Sequence, residues 1–263
     1  MSTNTEPGHV VHLEDYRPSD YLIPETKLTF VLHPTTTRVI AELTVRRAGS
    51  AKKNAPLMLD GDGLSLDGIA INGQALEPST YEATSSRLLL KRLPKDAVFT
   101  VRIETTISPS TNTALMGLYQ SNGVYCTQCE AEGFRRITYF LDRPDILSIY
   151  TVRMEADAGT APLLLSNGNP GERGELPDGR HFALWHDPFP KPSYLFALVA
   201  GDLGTISDSF VTASGRKVAL AIHVEHGEVW ASVVVEVARI HPHREARRVL
   251  RGARDGLGER PVA

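Results

Sequence analysis

From residue 21 to about 225 the apolar positions come in short runs, many alternating with polar ones and rich in β-branched side chains. Gly, Pro, Asn and Asp punctuate the gaps. A period of two puts one set of side chains on each face of an extended segment, so the pattern predicts an antiparallel β architecture. Strands are expected over 27–32, 38–46, 64–71, 87–90, 99–107, 125–132, 150–155, 163–167, 181–186, 194–200 and 217–224.

Turn chemistry agrees at two places. Asn72-Gly73 suits a tight hairpin, and Pro177-Asp178-Gly179 offers a preset φ followed by residues that tolerate positive φ. Val101, Ile103 and Thr105 alternate with Arg102 and Glu104, which predicts one wet face. The run 194–200 is apolar without alternation and reads as a strand covered on both sides. Two packed or strongly curved sheets fit this mixture better than one flat sheet.

The character changes near residue 228. Trp230 to Val237 is a β-branched run, and 239–260 is crowded with arginine, alanine and glycine without a lysine. Two readings stay open for this tail: a helix over 242–252 with a solvated basic face, or translation from a shifted frame or a truncated gene. The chain divides into an extension over 1–20, a β-rich domain over 21–228 and a divergent tail over 229–263. No internal repeat or heptad is visible.

Composition narrows the function classes. The 263 residues are 41% hydrophobic, enough for an ordinary buried core, and 28 basic residues against 31 acidic ones leave a formal charge of only −3. That balance gives no electrostatic footprint for nucleic acid or an anionic membrane, so neither is expected as a partner. The first residues lack a basic cluster followed by an apolar run, and no stretch approaches the length of a membrane span. A cytoplasmic protein is the expectation.

The densest polar chemistry lies at 126–135. On a strand Gln128, Glu130 and Glu132 share one face, opposite Thr127, Cys129 and Ala131. Two carboxylates and an amide side by side suit a bound cation such as an ammonium group. The alternatives are a solvent-facing strand surface and paired acid/base catalysis. Cys126 and Cys129 form a C-x-x-C, but residues three apart on a strand point to opposite faces. With no other cysteine in the chain they read as structural.

No H-E-x-x-H occurs, and no catalytic or metal-ligating set is expected. His223 and His226 would point to opposite sides of a strand, as would His181 and His186, while His241 and His243 fall in the tail. Gly61, Gly63 and Gly68 miss a dinucleotide fingerprint because Leu66 takes the required glycine position, and Gly168, Gly171 and Gly174 read as a hairpin loop. There is no G-x-S-x-G elbow either.

The stretch CTQCEAEGFR (126–135), followed by ITYFLDRPD (137–145), closely resembles the amino-terminal domain of the bacterial aminopeptidase N family, gluzincin-type zinc metallopeptidases. Further matching blocks are YRPSDY (16–21), TNTALMGLY (111–119), LSNGN (165–169) and DPFPKPSYLFALVAGD (187–202), so the likeness runs from about 16 to 228.

The resemblance implies a mainly β fold, a saddle-shaped antiparallel β-sandwich-like domain packed beside a catalytic domain. It implies that Gln128 and Glu130 line the substrate pocket, Glu130 binding the free α-amino group of a peptide, with Glu132 a supporting charge. The family's G-A-M-E-N loop, H-E-x-x-H helix and third zinc ligand are missing. The chain itself is therefore expected to bind no cofactor and to hydrolyse nothing, zinc belonging to the full-length enzyme. Its expected partners are a peptide amino terminus and the missing catalytic domain. A stand-alone module that binds peptide amino termini or a separately encoded catalytic half is the alternative, and a product that folds poorly is a third.

Overall fold

The computed structural model of the chain describes residues 13–52 and 54–225. Among the described residues seventeen strands follow one another. The first group is β1 (Tyr21–Val31), β2 (Thr37–Arg47), β3 (Leu57–Asp60), β4 (Ser65–Ile71), β5 (Gln74–Ala75), β6 (Tyr81–Thr84), β7 (Arg87–Leu90) and β8 (Val98–Ile107). Next come β9 (Gly117–Ser121), β10 (Val124–Gln128), β11 (Ser148–Asp157), β12 (Leu163–Ser166), β13 (Asn169–Glu175), β14 (Arg180–Lys191) and β15 (Leu198–Gly201). The last two are β16 (Leu203–Val211) and β17 (Lys217–Glu225). The helical residues described are single turns of 3-10 helix.

Eight strands form the main sheet in the order β13-β14-β11-β1-β2-β8-β4-β5. All its pairings are antiparallel except β1 with β11, where Glu25 lies opposite Ile149 and Val31 opposite Glu155. The alternation of β2 and β8 explains its two faces. Val39, Ala41, Leu43 and Val45 are buried beside Val101 and Ile103, while Arg38, Glu42, Arg102 and Glu104 face water as an ion-pair network. Such exposed pairs contribute little each, and the sheet is held by its apolar face.

In β1 the buried set changes parity, from Tyr21 and Ile23 to Thr26, Leu28 and Phe30. The β1–β2 register shifts between Leu22 and Glu25. Pro24 sits inside that irregularity, where its missing N–H costs no ladder bond.

Two smaller sheets, β3-β7-β6 and β12-β15-β10-β9, contribute Leu57, Leu59, Leu88, Leu90, Leu118, Leu164 and Leu198 to the same core as the main sheet. The segment between β10 and β11 adds Phe134, Ile137, Tyr139 and Phe140, all at most 1% exposed. Phe134 meets Phe140, Phe196 and Tyr150 edge-on, with centroids 4.9, 5.3 and 6.1 Å away. Among the described residues β16 and β17 pair only with each other, and Phe210, Val211 and Leu220 near their tip are exposed.

The turn readings hold: Asn72 and Gly73 both have positive φ between β4 and β5, as do Asp178 and Gly179 before β14. Three readings need correction. Residues 194–200 are not one doubly covered strand, because Ser193–Leu195 is a 3-10 turn and β15 alternates between buried Leu198 and Ala200 and half-buried Val199. Only Gly168 belongs to a turn, with φ of 87°, whereas Gly171 and Gly174 lie within β13. The strand expected over 125–132 stops at Gln128. The tail over 229–263, with His241 and His243, and also His226, lies outside the described residues.

Candidate functional site

β9 and β10 form a hairpin whose turn, Asn122-Gly123, has φ of 48° and 84°, the positive values that keep a two-residue turn in step with strand twist. On its other edge β10 pairs β15 only at Tyr125↔Ala200 and Cys126↔Val199. Thr127 continues the link with its side chain, Oγ1 accepting from Leu198 N at 2.8 Å and donating to Leu198 O at 3.2 Å.

The chain then leaves the sheet. Cys129 is buried, Gly133 N donates to Cys129 O at 2.9 Å, and a 3-10 turn over Phe134–Arg136 drives Phe134 into the core. Gln128, Glu130 and Glu132 therefore do not line up on a strand face; Glu130 and Glu132 project from a turn. The fully buried Phe134 and the close approach at Gly133 override the strand periodicity.

Gly133 permits this path. A Cβ there would lie 2.3 Å from Gln128 O and 2.9 Å from Cys129 Cα, both backbone atoms that cannot swing away. Gly133→Ala should destabilise the domain by about 1–3 kcal/mol and push the turn outward. A urea melt checks the first effect, and faster amide exchange at 129–134 the second.

Glu130, Ala131 and Glu132 line a depression of about 300 Å³ with Asp142, Pro144 and Tyr194. The Gln128 amide donates to Glu130 O at 3.1 Å, so it supports the backbone of the turn. Glu132 is paired with Arg135 at 3.3 Å. The Glu130 carboxylate has no hydrogen bond or ion pair among the described residues, and it is exposed. An anion free of internal partners at the rim of a concavity can take an external cation.

Beneath the turn, Asp142 is 4% exposed and fully engaged. Its Oδ2 accepts from Arg135 Nε at 3.0 Å and from Arg135 N at 3.2 Å, and its Oδ1 accepts from Ser193 Oγ at 2.5 Å. Burial works against the Arg135 charge, but the hydrogen bond to Asp142 and the fields of Asp60, Asp142 and Glu132 more than offset it, raising its pKa. Burial also raises the Asp60 carboxyl. Neither Asp142 nor Arg135 stood out in the sequence. The available signal was one acidic residue directly after the run 137–141, which is apolar apart from Thr138.

Cys129 packs in the core, and Cys126 is half-buried. Both are free, and burial with the nearby Asp142 charge pushes the Cys129 thiol up to about 12. The native chain should leave Cys129 unmodified by iodoacetamide at pH 8, with labelling only on unfolding. Because the thiol ionises more readily in the unfolded chain, this stabilising contribution is present below about pH 8.5 and is lost as pH rises toward 12. Cys129→Ala should flatten that part of a stability-versus-pH curve.

Histidines do not converge. His181 bonds Ala161 O at 2.7 Å, His186 meets Thr151 at 3.0 Å and His223 meets Thr205 at 2.9 Å. Among the described residues no three His, Cys, Asp or Glu side chains are placed to hold a metal, so they do not fit a zinc ion. No helix there is long and apolar enough to cross a membrane.

The sequence profile of the peptidase M1 N-terminal domain matches residues 25–195. The chain belongs to that family. As a peptidase M1 N-terminal domain it is 57% identical over 224 residues to aminopeptidase N of Caulobacter vibrioides, covering 85% of this chain and 25% of that protein. It is 48% identical over 226 residues to aminopeptidase N of Escherichia coli, covering 86% and 25%. The crystal structure of Legionella pneumophila aminopeptidase A in complex with aspartic acid superposes with a TM-score of 0.76 at 36% identity, over 81% of this chain and 25% of that one. The chain thus spans about a quarter of the length of these relatives. The mainly β fold is the one the resemblance implied, and the family is that of metallopeptidases.

Proposed function

We propose that this domain supplies recognition of the substrate α-amino group to a zinc-dependent aminopeptidase whose metal and hydrolytic groups lie in the remaining part of the protein. The observation that carries this reading is the exposed Glu130 carboxylate lining the depression with no partner among the described residues, beside a Glu132 already held by Arg135. A carboxylate there takes the ammonium of a peptide by a charge-assisted hydrogen bond. With the amino end held, only the first peptide bond is placed for cleavage, so the position of Glu130 sets exopeptidase register. Gln128 acts with it by supporting the Glu130 backbone, and Glu132 tunes the local charge through Arg135.

The partner is the rest of the polypeptide. Phe189, 74% exposed, and Leu115, Leu147 and Leu195, each about half exposed, are large apolar side chains left in contact with water. We assign them to contacts with a catalytic domain.

A chimera tests the reading. Residues 13–225 replace the matching segment of the Caulobacter vibrioides aminopeptidase N. The expected chimera hydrolyses alanyl-p-nitroanilide and not its N-acetyl analogue. A folded, zinc-loaded chimera without such activity would contradict the assignment.

A further inference from the structure

We infer that half-buried Arg135 and buried Asp142 and Ser193 form a polar brace that positions the Glu130 turn and keeps Glu130, not Glu132, as the carboxylate open to an ammonium group. This rests on the amino-group reading above and names the residues that make it work.

The brace ties two walls of the depression together. From the turn side, Arg135 gives Asp142 three hydrogen bonds: Nε and N to Oδ2 at 3.0 and 3.2 Å, and Nη2 to the Asp142 carbonyl at 3.0 Å. From the opposite side, Ser193 Oγ donates to Oδ1 at 2.5 Å, and Ser193 immediately precedes the lining residue Tyr194. Asp142 N donates in turn to Asp60 Oδ2 at 3.3 Å, anchoring the brace at the end of β3. Neighbouring contacts fasten the same segment: Asp62 N donates to Arg135 O at 3.0 Å, and Arg136 Nε pairs with Asp62 at 2.8 Å.

Arg135 also reaches outward, its Nη2 lying 3.3 Å from Glu132 Oε1. One planar guanidinium therefore holds the buried Asp142 and claims the exposed Glu132 together, a geometry that a lysine ammonium cannot reproduce. Two carboxylates project from the turn, and this claim leaves Glu130 as the one with no partner among the described residues. Lining by Asp142 adds no competing cation site, because both its oxygens are already accepting hydrogen bonds. Arg135, Asp142 and Ser193 are positioning residues in this account, since none needs to touch the peptide.

The test titrates the ¹⁵N-labelled chain with alanyl-alanine amide and with its N-acetyl analogue, well below the melting temperature. There the folded fraction stays near one, so a change in global stability leaves the dissociation constant unaltered. The parent should bind only the free amine. Arg135→Lys should weaken that binding at least fivefold and speed amide exchange at 129–134. Ser193→Ala, on the other arm, should weaken it about two- to fivefold, and Glu132→Gln should change it less than twofold.

Parent-like affinity in both Arg135→Lys and Ser193→Ala would overturn the brace. If Arg135→Lys fails to fold, Ser193→Ala alone settles the matter in the same way. A parent that does not distinguish the two peptides would overturn the amino-group reading, and the brace with it. Loss of binding in Glu130→Gln alone would keep that reading and remove only the brace.

Discussion

Glu130→Gln in the chimera should lower kcat/KM for alanyl-p-nitroanilide by roughly 30- to 150-fold, with zinc content unchanged. The Glu130 carboxylate is exposed at the rim of the depression and has no partner among the described residues, so its charge is available to a substrate ammonium. Removing one member of such an ion pair once it is desolvated costs about 2–5 kcal/mol. Glutamine keeps an oxygen acceptor in the same place, which sets the expectation near about 2–3 kcal/mol. Most of the loss should appear in KM, because the ammonium is held in both ground and transition states and lies away from the reacting carbonyl. Glu132→Gln should be far milder, its partner being Arg135. Steady-state kinetics with metal analysis of each variant checks both statements, and unchanged kinetics in Glu130→Gln would remove its assigned role.

Phe134→Ala should destabilise the chain by about 3–5 kcal/mol, measured as a shift of the urea midpoint at constant slope. Phe134 has no exposed surface and stands among Phe140, Tyr150 and Phe196, so truncation opens a cavity that those rings cannot close without losing their edge-on contacts. The effect reaches the site, because Phe134 directly follows Gly133 and starts the 3-10 turn that carries Arg135 to Asp142. Phe134→Leu fills most of the volume and should cost less than half as much. Equal losses in the two variants would show that ring packing is not what anchors the turn.

How much of this was legible beforehand depended on local periodicity. The strand at 87–90 followed from its short apolar run, and the wet and dry faces of β8 followed from alternation. β1 began six residues earlier than expected because Pro24 and the bulge reverse its parity, which hides the buried set from a period-two reading. β13 was missed because Gly168, Gly171 and Gly174 read as a hairpin loop, although β14 supplies the strand with partners. β16 is mostly exposed and shows no buried face of its own.

The site was half legible. The acidic cluster was visible, but the face shared by Gln128, Glu130 and Glu132 assumed that the strand continued. A single glycine with backbone atoms within 3 Å of a missing Cβ, followed by a buried phenylalanine, ended it. Asp142 and Arg135 meet across seven positions through a turn, a relation that periodicity does not encode.

Glu130 is proposed to take a peptide's amino group. The most direct test is the titration of the ¹⁵N-labelled parent and Glu130→Gln chains with alanyl-alanine amide and its N-acetyl analogue, following amides 128–135. The account predicts saturable shifts in the parent with the free amine alone, and none in Glu130→Gln. Equal shifts with both peptides, or shifts that persist in Glu130→Gln, would contradict it.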